Sequence, residues 1–406
     1  MSNKIALFHV ISIEEITFYK RFLDVLYKEY KLKPLFITTS LFCHLYLKFN
    51  RLDSYLVYKP KDLECSNHLN YESFNEKVKW LSPLQAYNCY EGTKTTLKKI
   101  IDRFDVSIAF IPSGRLISHE ATKDICREAG IYTVFSGYGN FPGKTFFDPE
   151  GTDKASSLFR LKNKISQFDF DNQSFELWRK DYLNKKLKSH IVAQARKVSY
   201  KTYISRFVRI VFCKLEKLFN IAHDVDRSWD AILDLKGGEV SKLISHRELP
   251  EKYILFPLQY SLDAQIILNY SGTYESCLDS ALIIAQEIGY PLVIKPHPVE
   301  NSEYAIDYVK NFVEKNNDVF ISNENTFSLI DKSEKVITVN STVGLESKLM
   351  RKNVNFLGDS IYESMTYNDC AKYLQSYLVD IDYFDKSNIT SQQINKILKL
   401  CEIKID

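Results

Sequence analysis

The sequence has no two cysteines at CxxC spacing: its eight cysteines, at 43, 65, 89, 126, 213, 277, 370 and 401, are scattered through 406 residues without a zinc-type pattern. Structural disulfides and a cysteine-held metal are therefore not expected, and a reducing cytoplasm is the compartment this usage fits. No apolar run approaches the roughly 18 residues that a membrane-crossing helix requires. The first residues carry Lys4 and only about five apolar side chains before Glu14 and Glu15, which is not the make-up of a secretory signal. The chain is expected to be soluble, at most peripheral to a membrane. Charge of one sign is also lacking: 54 Lys and Arg against 51 Asp and Glu leave a net charge of +3, which gives no ground for a nucleic-acid partner. No internal repeat is visible.

What the chain does have is apolar content, 45% of its residues, enough for two cores in a chain of this length. The apolar runs are short. Residues 5–10 and 33–38 read as strands flanking an amphipathic helix over 14–30, the usual opening of a doubly wound α/β domain. A further helix is expected over 91–104, a buried strand over 106–111, a helix over 119–129 that stops at Gly130, and a strand over 132–135. Residues 41–80 give no clean period.

After that strand comes a long glycine-rich stretch, 136–151, which reads as a loop at a strand's carboxyl end, where function concentrates. Its carboxylates Asp148 and Glu150 are candidates for chemistry, or members of a solvated turn. Residues 175–222 are helical and basic, with Lys185, Lys186, Lys188, Arg196, Lys197, Lys201, Arg206, Arg209, Lys214 and Lys217 among apolar residues. Such a segment can lie on an anionic membrane surface or simply present a solvated charged face. The Gly237-Gly238 pair looks like a linker. A strand is expected over 354–357, and residues 367–406 read as helices packing back on the first domain.

Three runs between Tyr253 and Glu346 organise the second half. Residues 253–257 lead into Leu258-Gln259-Tyr260-Ser261-Leu262-Asp263, residues 290–295 end at Pro296-His297-Pro298, and residues 335–340 end at Ser341-Thr342-Val343-Gly344. In a parallel sheet ligands sit beyond the carboxyl ends of the strands, so the three endings should share one crevice. Helix-start amides after Asn340, with the hydroxyls of Ser341 and Thr342, make a seat for a phosphate without a metal. His297 between two prolines must stand at a strand tip, where it can donate to a phosphate oxygen or a leaving group. Glu346, one turn into the helix, is placed for ribose hydroxyls or for helix-start electrostatics.

Lys295-Pro296-His297-Pro298 followed by Asn340-Ser341-Thr342-Val343-Gly344-Leu345-Glu346 resembles the HP and Ser-Ser/Thr motifs of GT-B glycosyltransferases that use CMP-activated sugars. Bacterial sialyltransferases in that group carry an Asp/Glu-Asp-Gly tripeptide upstream, absent here. Phe256-Pro257-Leu258-Gln259-Tyr260-Ser261-Leu262-Asp263 resembles instead the Pro-Leu-Gln-x-x-x-Asp segment of the retaining β-Kdo transferases of capsule and O-antigen (lipopolysaccharide) synthesis, and the 137–151 stretch is similar to their glycine-rich segment. Ser136 stands where an acidic residue would precede Gly137-Tyr138.

The resemblance implies an α/β GT-B fold, two Rossmann-like domains facing across a cleft, here over 1–245 and 246–406. It implies transfer of Kdo from CMP-β-Kdo to a glycan or glycolipid with retention. Asp263 would be the nucleophile, or otherwise a cap for the helix that follows, and Asp148 or Glu150 the acid/base. Gln259, Lys295, His297, Ser341, Thr342, Gly344 and Glu346 would bind the donor, with no cofactor and no metal. A sialyltransferase-like enzyme and a silent glycan-binding module of the same fold are the other expectations.

Overall fold

Short β-branched and aromatic runs, each followed by an amphipathic helix, build two separate sheets. The computed structural model describes residues 4–61, 68–188, 200–226, 243, 247–261, 263–298 and 300–405. The first sheet holds β1 (Ile5–His9), β2 (Lys33–Thr38), β3 (Ser54–Leu56), β4 (Val106–Pro112), β5 (Tyr132–Tyr138) and β6 (Thr145–Asp148), in the order β3-β2-β1-β4-β5-β6. All its pairs are parallel except β5 with β6. The second holds β7 (Ile254–Pro257), β8 (Leu292–Lys295), β9 (Val319–Ile321), β10 (Lys335–Thr338) and β11 (Asn353–Phe356), in the order β11-β10-β7-β8-β9, all parallel. Both are doubly wound sheets covered by helices, as the GT-B expectation requires of each domain. Strand order reverses between β1 and β4 in the first and between β7 and β10 in the second. Those are the points where a crevice opens beyond the strand ends.

Alternation along each strand supplies two core layers per sheet. In the first sheet Phe8 stacks on Phe36 (5.2 Å) and Phe110 (4.9 Å) on one face. Leu7, Ile37, Ala109, Ile111 and Phe135 fill the other. Each such phenylalanine, fully withdrawn from water, contributes about 2 to 3 kcal/mol. In the second sheet Ile254, Phe256, Leu292, Ile294 and Ile337 face one layer, while Leu255, Val293 and Val336 face the other with Leu329 and Ile330.

The chain divides into two compact units, residues 1–161, 200–232 and 377–406 against residues 162–199 and 233–376. This differs from a single cut near residue 245. Helix Asn172–Lys188 goes with the second unit and helix Tyr200–Leu218 with the first, so the basic stretch is shared between the two units. Arg196 and Lys197 lie outside the described residues, as do the side chains of Lys201, Arg206 and Arg209 and the Gly237-Gly238 pair. The tail belongs to the first unit: Thr145 and Val379 exchange backbone hydrogen bonds of 3.0 Å each, and helix Ser391–Leu400 buries Ile394, Ile397 and Leu398.

Other departures are local. The helix expected over 14–30 is two, Ile13–Lys20 and Leu23–Tyr30. At the break the Arg21 guanidinium donates to the carbonyls of Ser387 (2.6 Å) and Asp382 (2.7 Å), a tertiary tie. The stretch 136–151 is largely a hairpin, since Thr145–Asp148 pairs back on β5.

Candidate functional site

At the switch point of the second sheet the ends of β7 and β10 are tied by one side chain. Gln259, buried just past β7, accepts from the Asn340 backbone N–H at 3.1 Å and donates through Nε2 to Asp263 Oδ2 at 3.3 Å. Asp263 is the N-cap of helix Ala264–Asn269, its Oδ1 accepting from the Gln265 N–H at 2.9 Å. Asn340 closes the circuit by donating through Nδ2 to Gln265 Oε1 at 2.8 Å. The first and third endings thus form one polar assembly, and Asp263 is oriented through both carboxylate oxygens while remaining half-buried.

The β8 ending joins through Glu300, a residue the sequence reading passed over. This buried carboxylate accepts from Ser261 N–H (2.7 Å) and Ser261 Oγ (3.1 Å) of the segment after β7. It also accepts from the N–H groups of Asn301 and Ser302, both 3.0 Å. Between these anchors stands His297, whose Nδ1 is buried without a hydrogen-bond partner. Burial holds its pKa below the ordinary value, Asp263 and Glu300 pull it back up, and the Lys295 charge lowers it further. Lys295, also half-buried, has its pKa lowered by burial, and no carboxylate pairs with it among the described residues. An imidazole with an unfilled nitrogen beside an uncompensated ammonium is an arrangement suited to an anion.

The third wall is helix Thr342–Leu349, capped by Ser341, whose Oγ accepts from the Val343 N–H at 3.2 Å and keeps its own proton to donate. Thr342 opens the helix, half-buried. Gly344 is fixed by packing: a Cβ there would lie 2.6 Å from Phe356 Cε1 and 2.9 Å from Thr338 Cγ2.

Glu346 is placed otherwise than expected. It is 5% exposed, and its Oε1 accepts from Tyr182 O–H at 2.5 Å and pairs with Lys186 Nζ at 3.3 Å. The carboxylate locks helix Asn172–Lys188 against helix Thr342–Leu349 rather than facing a ribose.

In the first unit both expected carboxylates are committed to structure. Asp148 is 0% exposed. Its Oδ1 accepts from the N–H groups of Glu150 (2.8 Å), Gly151 (3.3 Å) and Ser157 (2.9 Å), and its Oδ2 from Ser157 Oγ (2.7 Å) and Tyr377 O–H (2.9 Å). A carboxylate so saturated has no lone pair for a substrate proton. Glu150 forms a two-pronged ion pair with the Arg160 guanidinium at the surface. Ser136 Oγ meets Tyr19 O–H at 2.9 Å in the core.

The switch point of this unit carries other polar groups. His9, at the end of β1, bonds Thr122 Oγ1 (2.8 Å) and Ser118 Oγ (3.1 Å), and burial drives its pKa down to about 3. Asp224, its pKa raised by burial, accepts from Thr39 Oγ1 (2.7 Å), Ser118 Oγ (2.7 Å) and Ser118 N–H (3.1 Å). A cavity of about 120 Å³ lies beside them, lined by Ser12, Thr39, Ser40, Glu216 and His223 among others. Glu15, in the first turn of helix Ile13–Lys20, is readable in the sequence only as the last letter of a Ser-x-x-Glu capping box, a structural signal. Among the described residues no group of three or more His, Cys, Asp or Glu side chains is placed to hold a metal, and no helix is long and apolar enough to cross a membrane.

Two doubly wound parallel sheets, each with polar groups gathered at its switch point, define an α/β protein of the GT-B type. Residues 180–372 match the family of capsule polysaccharide biosynthesis proteins. That stretch contains every residue of the second unit's site. Among solved structures the chain is similar to the β-Kdo 2,7 transferase of Thermosulfurimonas dismutans KpsC (13% identity, 98% of this chain and 99% of that one, TM-score 0.46). It is also similar to the β-Kdo 2,4 transferase of the same KpsC (14%, 73% and 88%, TM-score 0.39) and to S. aureus MnaA with UDP (12%, 100% and 98%, TM-score 0.30). At these scores the likeness adds nothing to the fold read from the sheets themselves. No curated protein matches the chain significantly.

Proposed function

We propose that the protein is a glycosyltransferase of surface polysaccharide synthesis that moves Kdo from CMP-β-Kdo to a glycan or glycolipid acceptor with retention, through a covalent adduct on Asp263. The observation that carries this reading is the oriented Asp263 carboxylate in one assembly with Lys295, His297 and the Ser341 helix start. The match of residues 180–372 to the capsule polysaccharide biosynthesis family and the Pro257-Leu258-Gln259 to Asp263 segment support it.

In the first step Asp263 attacks the anomeric carbon as the bond to the CMP phosphate breaks. Lys295, the imidazole of His297 and the amides and hydroxyls of Ser341 and Thr342 receive the charge that develops on that phosphate. These groups make a divalent cation unnecessary, so transfer continues in EDTA. In the second step an acceptor hydroxyl displaces Asp263, and two inversions give net retention. The reaction runs on the cytoplasmic side, with the basic helices touching anionic lipid of the inner membrane; cosedimentation with acidic but not neutral vesicles at low salt checks this.

Asp263→Asn separates nucleophile from cap, because asparagine caps a helix as well as aspartate. The expected result is near-complete loss of turnover with folding and CMP binding kept, and a Kdo mass on the Asp263 peptide of wild type mixed with CMP-Kdo. Turnover near wild type in the variant ends the double-displacement reading. CMP release from CMP-sialic acid but not CMP-Kdo would move the protein to the sialyltransferase group.

A further inference from the structure

Glu300 stands in the turn that leads from His297 into helix Glu303–Lys315, whose N-cap is Ser302. Its N–H donates to the His297 carbonyl at 3.1 Å, and its Oε1 accepts from the N–H groups of Asn301 and Ser302. A residue that only shaped this turn would be complete at that point. The carboxylate also reaches the other strand ending, 39 positions away: Oε2 accepts from the Ser261 N–H at 2.7 Å and Oε1 from Ser261 Oγ at 3.1 Å. Hydrogen bonds to an ionised acceptor are about twice as strong as neutral ones. Ser261 is the middle of the turn that carries Asp263, with Gln259 before it, and the turn closes as the Asp263 N–H donates to the Tyr260 carbonyl at 2.8 Å. On the Gln259 side the turn is tied to β10 through Asn340. On the Ser261 side Glu300 ties it to the β8 ending, and Tyr260 O–H donates to Asn301 Oδ1 at 3.2 Å beside it. Burial lowers the pKa of His297, the charges of Asp263 and Glu300 raise it, and Lys295 lowers it. All of these groups belong to the second unit.

We propose that Glu300 is a positioning residue for the first step of transfer, holding the Ser261 turn, and with it Asp263, in register with His297. This rests on the double-displacement reading above. Glu300 exchanges no proton and forms no bond to the sugar. In the step it serves, the bond from the anomeric carbon to the CMP phosphate oxygen breaks with its electron pair going to the phosphate, and a lone pair of Asp263 forms the new bond to that carbon. A misplacement of about 1 Å between reacting groups costs on the order of 100-fold in rate, so the tie between the two loops governs the step without touching substrate.

Two variants separate length from charge. Glu300→Gln keeps the length but turns one acceptor oxygen into a donor facing Ser261 or the turn amides. Glu300→Asp keeps the charge but, one methylene shorter, cannot hold the Asn301 and Ser302 amides and Ser261 together. Mixed with CMP-Kdo, both should form the Asp263 adduct roughly 30- to 100-fold more slowly than wild type in rapid-quench mass spectrometry. CMP affinity by calorimetry should stay close to wild type. Ser261→Ala removes only the hydroxyl contact and should slow the adduct about tenfold, which keeps a readout where a Glu300 variant does not fold. The His297 imidazole, followed by NMR in the free protein, should titrate at lower pH in Glu300→Gln, which lacks the charge, and close to wild type in Glu300→Asp. Adduct formation at the wild-type rate in any of the three variants would overturn the proposal. So would a CMP affinity that falls in step with the adduct rate, the mark of a turn that only keeps the site folded, or a His297 titration unmoved in Glu300→Gln. Wild type that forms no adduct from CMP-Kdo is a distinct result, which removes the double-displacement reading and this role with it.

Discussion

Lys295 carries a charge that no described carboxylate neutralises, in surroundings that disfavour it. A half-buried ammonium of this kind lowers stability until an anion arrives. Lys295→Met is therefore expected to raise the melting temperature of the free protein, while weakening CMP binding about tenfold or more, the scale of a hydrogen bond to a charged group. Calorimetry and thermal melts check the pair of effects, and a fall in both would mean the lysine is structural. Asp148 is the opposite case. Asp148→Asn turns one acceptor oxygen into a donor facing Ser157 Oγ and Tyr377 O–H or a backbone N–H, which should cost about 2 to 4 kcal/mol in chemical denaturation. CMP affinity should not change. In the sequence Asp148 and Asp263 were both carboxylates near strand ends. What separates them is that one meets donors from residues 150 to 157 and from Tyr377, while the other is held only at its rim, and the Tyr377 partner lies 229 positions away. Glu15 was hidden for the same reason: its capping role is local and legible, whereas its raised pKa comes from the neighbours that bury it.

At the level of elements, period and punctuation carried most of the fold. Residues 33–38 form the strand read from their β-branched run, and Gly289, at φ 84°, ends helix Tyr274–Ile288 in the left-handed conformation glycine adopts without strain. Strands β3 and β9, of three residues each, were too short to show alternation. β6 was lost because the glycines and Pro142 around it signal a loop, while its strand conformation depends on pairing with β5. Gly344 shows how an element fixes the site. Its missing side chain lets helix Thr342–Leu349 lie against Phe356 and Thr338, and this sets the direction of the Ser341 helix start. Gly344→Ala should cost about 1 to 3 kcal/mol through overpacking and weaken CMP binding together with stability. Equal CMP affinity in a destabilised variant would show that the helix start is not part of the seat.

At the scale of the whole chain, the two units are assembled from interleaved segments, which composition shifts near residue 245 did not show. The first unit is incomplete without its tail: Tyr377, Leu378, Val379 and Ile381 are buried, and Tyr377 O–H satisfies Asp148. A fragment of residues 1–245 should accordingly fail to give a cooperative melt, while the intact chain gives one.

Buried ionisable groups make the stability of the molecule depend on pH in two opposed ways. His9, ordinarily near 6.5, is held at about 3, and His119 is also depressed, so both stay neutral in the fold. As pH falls below 6.5 the unfolded chain takes up protons that the native state refuses, and stability declines. Glu15 acts the other way, because its folded pKa of about 7 lies above the ordinary 4.5. Between those values the native state holds a proton that the unfolded chain has released. Its contribution is present below about pH 4.5 and is lost as pH rises through 7. Glu15→Gln removes only the second effect. The variant should melt above wild type at pH 8, and the gap should close as pH falls towards 4.5, while both proteins share the histidine-driven loss in acid. A gap that stays the same at both ends of this range would show that Glu15 titrates as an ordinary surface carboxylate.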